Sequence, residues 1–145
     1  MKDYFALFKY RGDAEVIQAF EKQLKKLYRK EFKNTIAVPI PLSIERHYER
    51  GFNQSKFITD LVTKRQLDCL KRPVHETKQS KRSREDRLAN ETIFSFKTEY
   101  ADQINGQNVT LVDDIYTTGS TVEAAGRILL DHGARTVSSM TVARG

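Results

Sequence analysis

The stretch Val109-Thr110-Leu111-Val112-Asp113-Asp114-Ile115-Tyr116-Thr117-Thr118-Gly119-Ser120-Thr121 constrains this chain more than any other. Val109 to Val112 form a compact run that is β-branched at three of its four positions, the pattern of a buried strand. The polar, glycine-bearing segment from Asp113 to Thr121 then reads as a turn. Val122, Ala125, Ile128 and Leu129 fall at helical spacing, and Gly133 is placed as a C′ stop. Thr136 to Val142 reads as a further strand. A strand, a helix and a strand in succession favour a crossover between parallel strands.

The rest of the chain alternates in the same way. A turn at Tyr10-Arg11-Gly12-Asp13, with Asp13 a candidate N-cap, precedes a predicted helix over 14–32, with Val16, Ile17, Phe20, Leu24, Leu27 and Tyr28 on its apolar face. Thr35 to Pro41 reads as a buried strand ending in a proline-constrained loop. Phe57, Ile58, Leu61 and Val62 predict a helix after Gly51, and residues 68–74 a short strand. Residues 76–91 hold Leu88 as their one large apolar side chain and read as a loop. Ile93, Phe94 and Phe96 return the chain to the core, and Gly106 marks a turn. The pattern predicts an α/β domain built on a parallel sheet, and 145 residues suit a single domain over 1–145. In such sheets ligands sit beyond the carboxyl ends of the strands. That places Asp113 to Thr121 and Pro39 to Asn53 at the candidate site.

The chemistry of Asp113 to Thr121 is specific. Thr117, Thr118, Ser120 and Thr121 supply hydroxyl donors, and Gly119 lets the backbone approach a ligand. The amides at the start of the next helix favour an anion. Asp113 and Asp114 can accept hydrogen bonds from sugar hydroxyls, or hold Mg²⁺ directly or through water or ligand. An acidic pair alone is equally a turn cap, but with the full thirteen-residue pattern around it the pair suits a ribose 5-phosphate.

Charge and cysteine content narrow the rest. The net charge is +6, and residues 64–87 hold nine basic against four acidic residues, leaving the remainder near neutral. Such a stretch is either a solvated charged loop or a contact for a polyanion. Cys69 is the only cysteine, which excludes an internal disulfide and a multi-cysteine zinc site. No apolar run reaches membrane-spanning length, and Met1 to Phe5 do not open a secretory signal, so a reducing, cytoplasmic setting is expected.

Val109 to Thr121 resembles the phosphoribosyl-pyrophosphate (PRPP) fingerprint of type I phosphoribosyltransferases. Tyr10-Arg11-Gly12, Val38-Pro39-Ile40-Pro41, Arg50-Gly51-Phe52-Asn53-Gln54, Thr77-Lys78-Gln79 and Arg87-Leu88-Ala89-Asn90, leading to Phe94 and Phe96, resemble ComF-type competence proteins, bacterial relatives of those enzymes. The resemblance covers nearly the whole chain. It implies a parallel-sheet type I phosphoribosyltransferase fold with helices on both faces, with Asp113, Asp114, Thr117, Thr118, Gly119, Ser120 and Thr121 binding PRPP or another ribose phosphate together with Mg²⁺. It makes Pro39 to Asn53 a pyrophosphate-side loop with Arg46 and Arg50 as candidate partners, since guanidinium matches phosphate bidentately. Solvated arginines flanking a turn are the alternative. It makes residues 77–87 a mobile loop, with Lys78, Lys81, Arg82, Arg84 and Arg87 also candidates for nucleic-acid contact.

In role, the resemblance implies competence-linked DNA uptake, with a nucleotide-like ligand and, as candidate partners, single-stranded DNA and competence-machinery proteins. The alternative is an active transferase moving ribose 5-phosphate from PRPP to a nitrogen base that the sequence does not name. Thr117 stands where the 6-oxopurine enzymes have an aspartate, and a threonine cannot be that base, so such an acceptor is disfavoured. The chain is too short to add the ATP-binding partner domain of a PRPP synthase. Many family members begin with a four-cysteine zinc module. This chain lacks those cysteines, so no zinc is expected. Asn53 and Gln54 either cap a helix or touch ligand. His47, His75 and His132 read as surface residues, Cys69 as a packed thiol, and Tyr48 as packing or a stacking platform.

Overall fold

The computed structural model describes residues 14–42, 51–72 and 94–145. The predicted first helix is two. Helix α1 (Ala14–Ala19) and helix α2 (Glu21–Glu31) meet at Phe20, whose φ of −102° and ψ of 5° leave helical geometry. Phe20 N donates to Ile17 O at 2.9 Å, a tightened turn between the two helices. Leu24 and Tyr28, one turn apart, are buried. Leu27, expected on the same face, is 41 % exposed, because the break at Phe20 fixes a narrower apolar stripe. Asp13, the candidate N-cap, lies outside the described residues.

Strand β1 (Ile36–Pro39) is buried throughout. Helix α3 (Gln54–Val62) follows, and the chain then passes along the far edge of β1 through a single parallel bridge between Ala37 and Gln66. The predicted strand over 68–74 shrinks to β2 (Leu70–Lys71), which pairs antiparallel with β3 (Ser95–Phe96). A 3-10 turn (Thr98–Tyr100) and helix α4 (Ala101–Ile104) lead to strand β4 (Asn108–Tyr116). Helix α5 (Ser120–Asp131) and strand β5 (Thr136–Arg144) complete the chain. Gly133, at φ +98°, ends α5 as expected.

The main sheet is parallel in the order β1-β4-β5. Alternation along β4 builds two cores. Val109 and Leu111 pack with Phe94, Phe96, Ile104, Ala125 and Leu129, so α4 and α5 cover one face. Val112 packs with Ile17, Leu24, Tyr28, Ile58 and Met140, so α1, α2 and α3 cover the other. Helices on both faces of a parallel sheet are the type I phosphoribosyltransferase arrangement. Thr110, fully buried, is satisfied across the strands: its hydroxyl lies 2.7 Å from that of Thr35 and 3.1 Å from that of Ser138.

One boundary differs in a way that matters for the site. The sequence ends the strand at Val112, whereas β4 continues to Tyr116, so Asp113 and Asp114 stand on the strand and not in the turn. The reason is β5, whose Thr141, Ala143 and Arg144 pair with Asp113, Ile115 and Tyr116 and extend the ladder through polar residues.

Candidate functional site

The carboxyl end of β4 and the start of α5 form the centre of the site. Asp113 is half-buried. Its Oδ1 accepts from Ser55 Oγ at 3.0 Å and from the Asp114 amide at 2.9 Å. Ser55 is in the first turn of α3, so this bond joins α3 to the end of β4 across 58 residues. Asp114 Oδ1 accepts from Ile115 N at 2.8 Å. Burial, and then the neighbouring Asp114 charge, push the Asp113 carboxyl from an ordinary 3.8 up to about 6.

The turn beyond Tyr116 is built around Gly119. Its φ of +83° is left-handed, and it is the N-cap of α5 without any side-chain cap bond. The first amides of α5 have no intrahelical acceptor. They are left facing the turn with the positive end of the helix dipole behind them. A Cβ at Gly119 would lie 2.5 Å from the Tyr116 hydroxyl, so a side chain there meets the φ penalty and also forces Tyr116 to shift. Thr117, Thr118 and Ser120 are exposed, Thr121 is half-buried, and the Thr118 and Ser120 hydroxyls lie 3.0 Å apart. Such an array of amides and hydroxyls can hold a monophosphate.

The loop entering α3 adds a second wall. Asn53 is the helix cap: its Oδ1 accepts from Ser55 N at 2.9 Å and Lys56 N at 3.2 Å, while its Nδ2 donates to Ile40 O at 3.1 Å. Asn53 thereby ties the start of α3 to the end of β1. Gln54 does not cap. It is 1 % exposed, and among the described residues neither its Nε2 nor its Oε1 has a hydrogen-bond partner.

The structure therefore brings together Asp113, Asp114, Thr117, Thr118, Gly119, Ser120 and Thr121 at one sheet edge, with Ser55 beside them. Arg46, Arg50, Lys78, Lys81, Arg82, Arg84 and Arg87, together with His47, Tyr48 and His75, lie outside the described residues. His132 is exposed, stacks on Phe96 with ring centroids 4.2 Å apart, and caps the end of α5. Cys69 is fully buried, and burial pushes its thiol up to about 12, as suits a packed thiol and not a nucleophile. Ser55 and Tyr116 carried no signal in the sequence, because their roles depend on contacts that only the fold creates.

Residues 62–145 match the family model described as the phosphoribosyl transferase domain. The chain belongs to that family. Within it, the chain is 42 % identical to the competence protein ComFC of Bacillus subtilis, over 99 % of this chain and 60 % of that protein. It is 33 % identical to ComFC of Streptococcus pneumoniae, over 99 % of this chain and 63 % of the relative. It is 34 % identical to the DNA utilization protein YhgH of Shigella flexneri, over 74 % of this chain and 48 % of that protein. The chain thus spans about six-tenths of the length of these ComFC relatives and less of YhgH. The family match includes the whole β4–α5 segment, and the ComFC matches extend over the α1 to α3 half as well. Among the described residues, no helix is long and apolar enough to cross a membrane.

Proposed function

We propose that this is a ComF-like protein that binds PRPP or a related ribose phosphate and acts in competence-linked DNA uptake, through contact with single-stranded DNA or a nucleotide. The uncapped start of α5 behind Gly119, directly beyond the Asp113–Asp114 pair, carries the proposal. The 5-phosphate sits at the amides of the turn and takes hydroxyl donation from Thr117, Thr118, Ser120 and Thr121. Asp114 and Asp113 accept from the ribose hydroxyls. By the family resemblance, Arg46, Arg50 and the basic stretch 77–87, outside the described residues, are the candidates to meet pyrophosphate. The role in DNA uptake rests on the similarity to proteins named for competence and DNA utilization. The setting is cytoplasmic.

Mg²⁺ fits this donor set. It favours oxygen ligands and is commonly held by one or two carboxylates plus phosphate oxygens of the substrate. Asp113 and Asp114 supply the carboxylates. Oxygens of a bound pyrophosphate would supply the remaining ligands. Bound there, Mg²⁺ would neutralise charge on the pyrophosphate. The protein's part is to orient the ribose between the carboxylates and the α5 amides.

Calorimetric titration with PRPP, with and without Mg²⁺, and then with short single-stranded DNA, tests the proposal. Saturable PRPP binding that strengthens with Mg²⁺ is expected. Absence of binding under both conditions would overturn it.

A further inference from the structure

The near-neutral balance outside residues 64–87 conceals a second basic region. Residues 21–33 hold six basic residues, Lys22, Lys25, Lys26, Arg29, Lys30 and Lys33, against Glu21 and Glu31, a net of +4. Five of these cations lie on α2 within three turns. Lys22, Lys25, Lys26, Arg29 and Lys30 frame an open groove of about 450 Å³ on the outer side of the helix. Lys22, Lys26, Arg29 and Lys30 are exposed.

The helix does little to neutralise this charge. Lys25 pairs with Glu21, and Lys30 with Glu31 at 3.6 Å. Lys22, Lys26 and Arg29 have no carboxylate partner among the described residues. Each of the long helices has one i,i+4 ion pair, Glu21–Lys25 on α2, Lys56–Asp60 at 2.7 Å on α3 and Glu123–Arg127 at 2.6 Å on α5, but only α2 carries several further cations beyond it. On α2 the i,i+4 positions also set Lys22 against Lys26, Lys25 against Arg29, and Lys26 against Lys30. Like charges at that spacing repel. A helix that is only solvated gains nothing from this repulsion, whereas a bound polyanion relieves it.

We infer that the outer face of α2 is a docking surface for the phosphate backbone of single-stranded nucleic acid, separate from the ribose-phosphate site. The inference deepens the nucleic-acid part of the proposed function and rests on it. Two features favour a nucleic-acid backbone over a lipid surface. The apolar face of α2, Leu24 at 6 % and Tyr28 at 3 % exposure, is committed to the core, and Leu27, 41 % exposed, is the one large apolar side chain of α2 left at the surface, too little to insert into a bilayer. Its cations instead follow the helix as a stripe, repeating about every 5.4 Å, which suits a linear chain of charges. No aromatic side chain lines the groove, so contact is to phosphates and tolerates any base sequence. The surface is also independent of the phosphate cradle, because α2 and α5 pack against opposite faces of the sheet.

The test is fluorescence anisotropy of a labelled oligothymidylate across a salt series, using the parent, Lys22→Gln/Lys26→Gln/Arg29→Gln, and the charge-retaining Lys22→Arg/Lys26→Arg/Arg29→Lys. The glutamine variant is expected to lose about two units of salt slope, near 0.7 per contact, and at least about tenfold in affinity at moderate salt. The charge-retaining variant is expected to bind as the parent does, which separates charge from helix integrity. A glutamine variant that keeps parental affinity and slope would overturn the inference. If Lys81→Gln/Arg82→Gln/Arg84→Gln then loses them, the strand is held by the 64–87 stretch and the proposed function stands. Binding of the parent to vesicles containing phosphatidylserine, with none to the oligonucleotide, would likewise overturn it. A parent that titrates PRPP but binds no oligonucleotide would remove both this surface and the nucleic-acid part of the function, leaving the ribose-phosphate site intact.

Discussion

Gly119→Ala should damage both the fold and the site, and the structure gives the size of the effect. Gly119 holds φ +83°, and a Cβ there would sit 2.5 Å from the Tyr116 hydroxyl and 3.0 Å from Cζ. The left-handed conformation alone costs an alanine about 1–2 kcal/mol relative to glycine. Relieving the clash requires Tyr116 to swing away from the turn and from Arg144, whose guanidinium lies 5.7 Å over its ring. That movement adds roughly 1 kcal/mol, as for a cation–π contact at a partly exposed site. The expected loss is therefore about 2–3 kcal/mol by urea denaturation, with the slope unchanged. PRPP affinity should fall at least about tenfold, because the α5 amides leave their positions at the turn. Tyr116→Ala/Gly119→Ala separates the two causes: it removes the clash but keeps the φ penalty, so it should show coupling of about 1 kcal/mol in a double-mutant cycle. Parental stability and PRPP affinity in Gly119→Ala would refute the reasoning.

Three further outcomes follow from the same geometry. Asp113 is raised from 3.8 to about 6, so the folded protein holds this proton more tightly than the unfolded chain does. The resulting stabilisation is fully present below about pH 4 and is lost as pH rises through about 6. Asp113→Asn, which keeps an acceptor for Ser55, should therefore be more stable than the parent above that window, by on the order of 2 kcal/mol, with the gap closing in acid in paired denaturation curves. Gly126 is buried in α5, where a Cβ would meet Val137 Cγ1 at 3.6 Å and Leu111 Cδ1 at 4.0 Å, both ordinary contacts. Gly126→Ala should raise stability by about 0.5–1 kcal/mol, measured by thermal unfolding. Cys69, fully buried with its thiol pushed up to about 12, should resist a thiol reagent at pH 8 in the native protein and react on unfolding.

The β4–α5–β5 unit was legible because its signals are local. A β-branched run, helical spacing at Val122, Ala125, Ile128 and Leu129, and the Gly133 stop each lie within a few residues. The extension of β4 through Asp113 to Tyr116 was not legible, since β5 supplies the partners for a polar segment that would not form a strand by propensity. The break at Phe20 was hidden because the apolar spacing runs on across it. At the site, the residue types around Gly119 could be read directly, as their chemistry follows from adjacent positions. The Ser55–Asp113 bond, the buried Gln54 amide and the close approach of Tyr116 to Gly119 depend on distant segments or backbone angle. Asn53 could be read either as cap or as ligand contact, and the two hydrogen bonds to its Oδ1 make it the cap. The cations of α2 do not show in the net charge outside residues 64–87, because acidic residues elsewhere offset them.

The central claim is that the β4–α5 turn holds a ribose 5-phosphate beside the aspartate pair. Isothermal titration with PRPP in Mg²⁺, on the parent, Asp114→Ala and Thr118→Ala, tests it most directly. The account predicts single-site binding by the parent and at least about tenfold weaker binding by each variant, one lost charge-assisted or hydroxyl hydrogen bond being enough, with unfolding transitions close to the parent's. Parental affinity in both folded variants would contradict it.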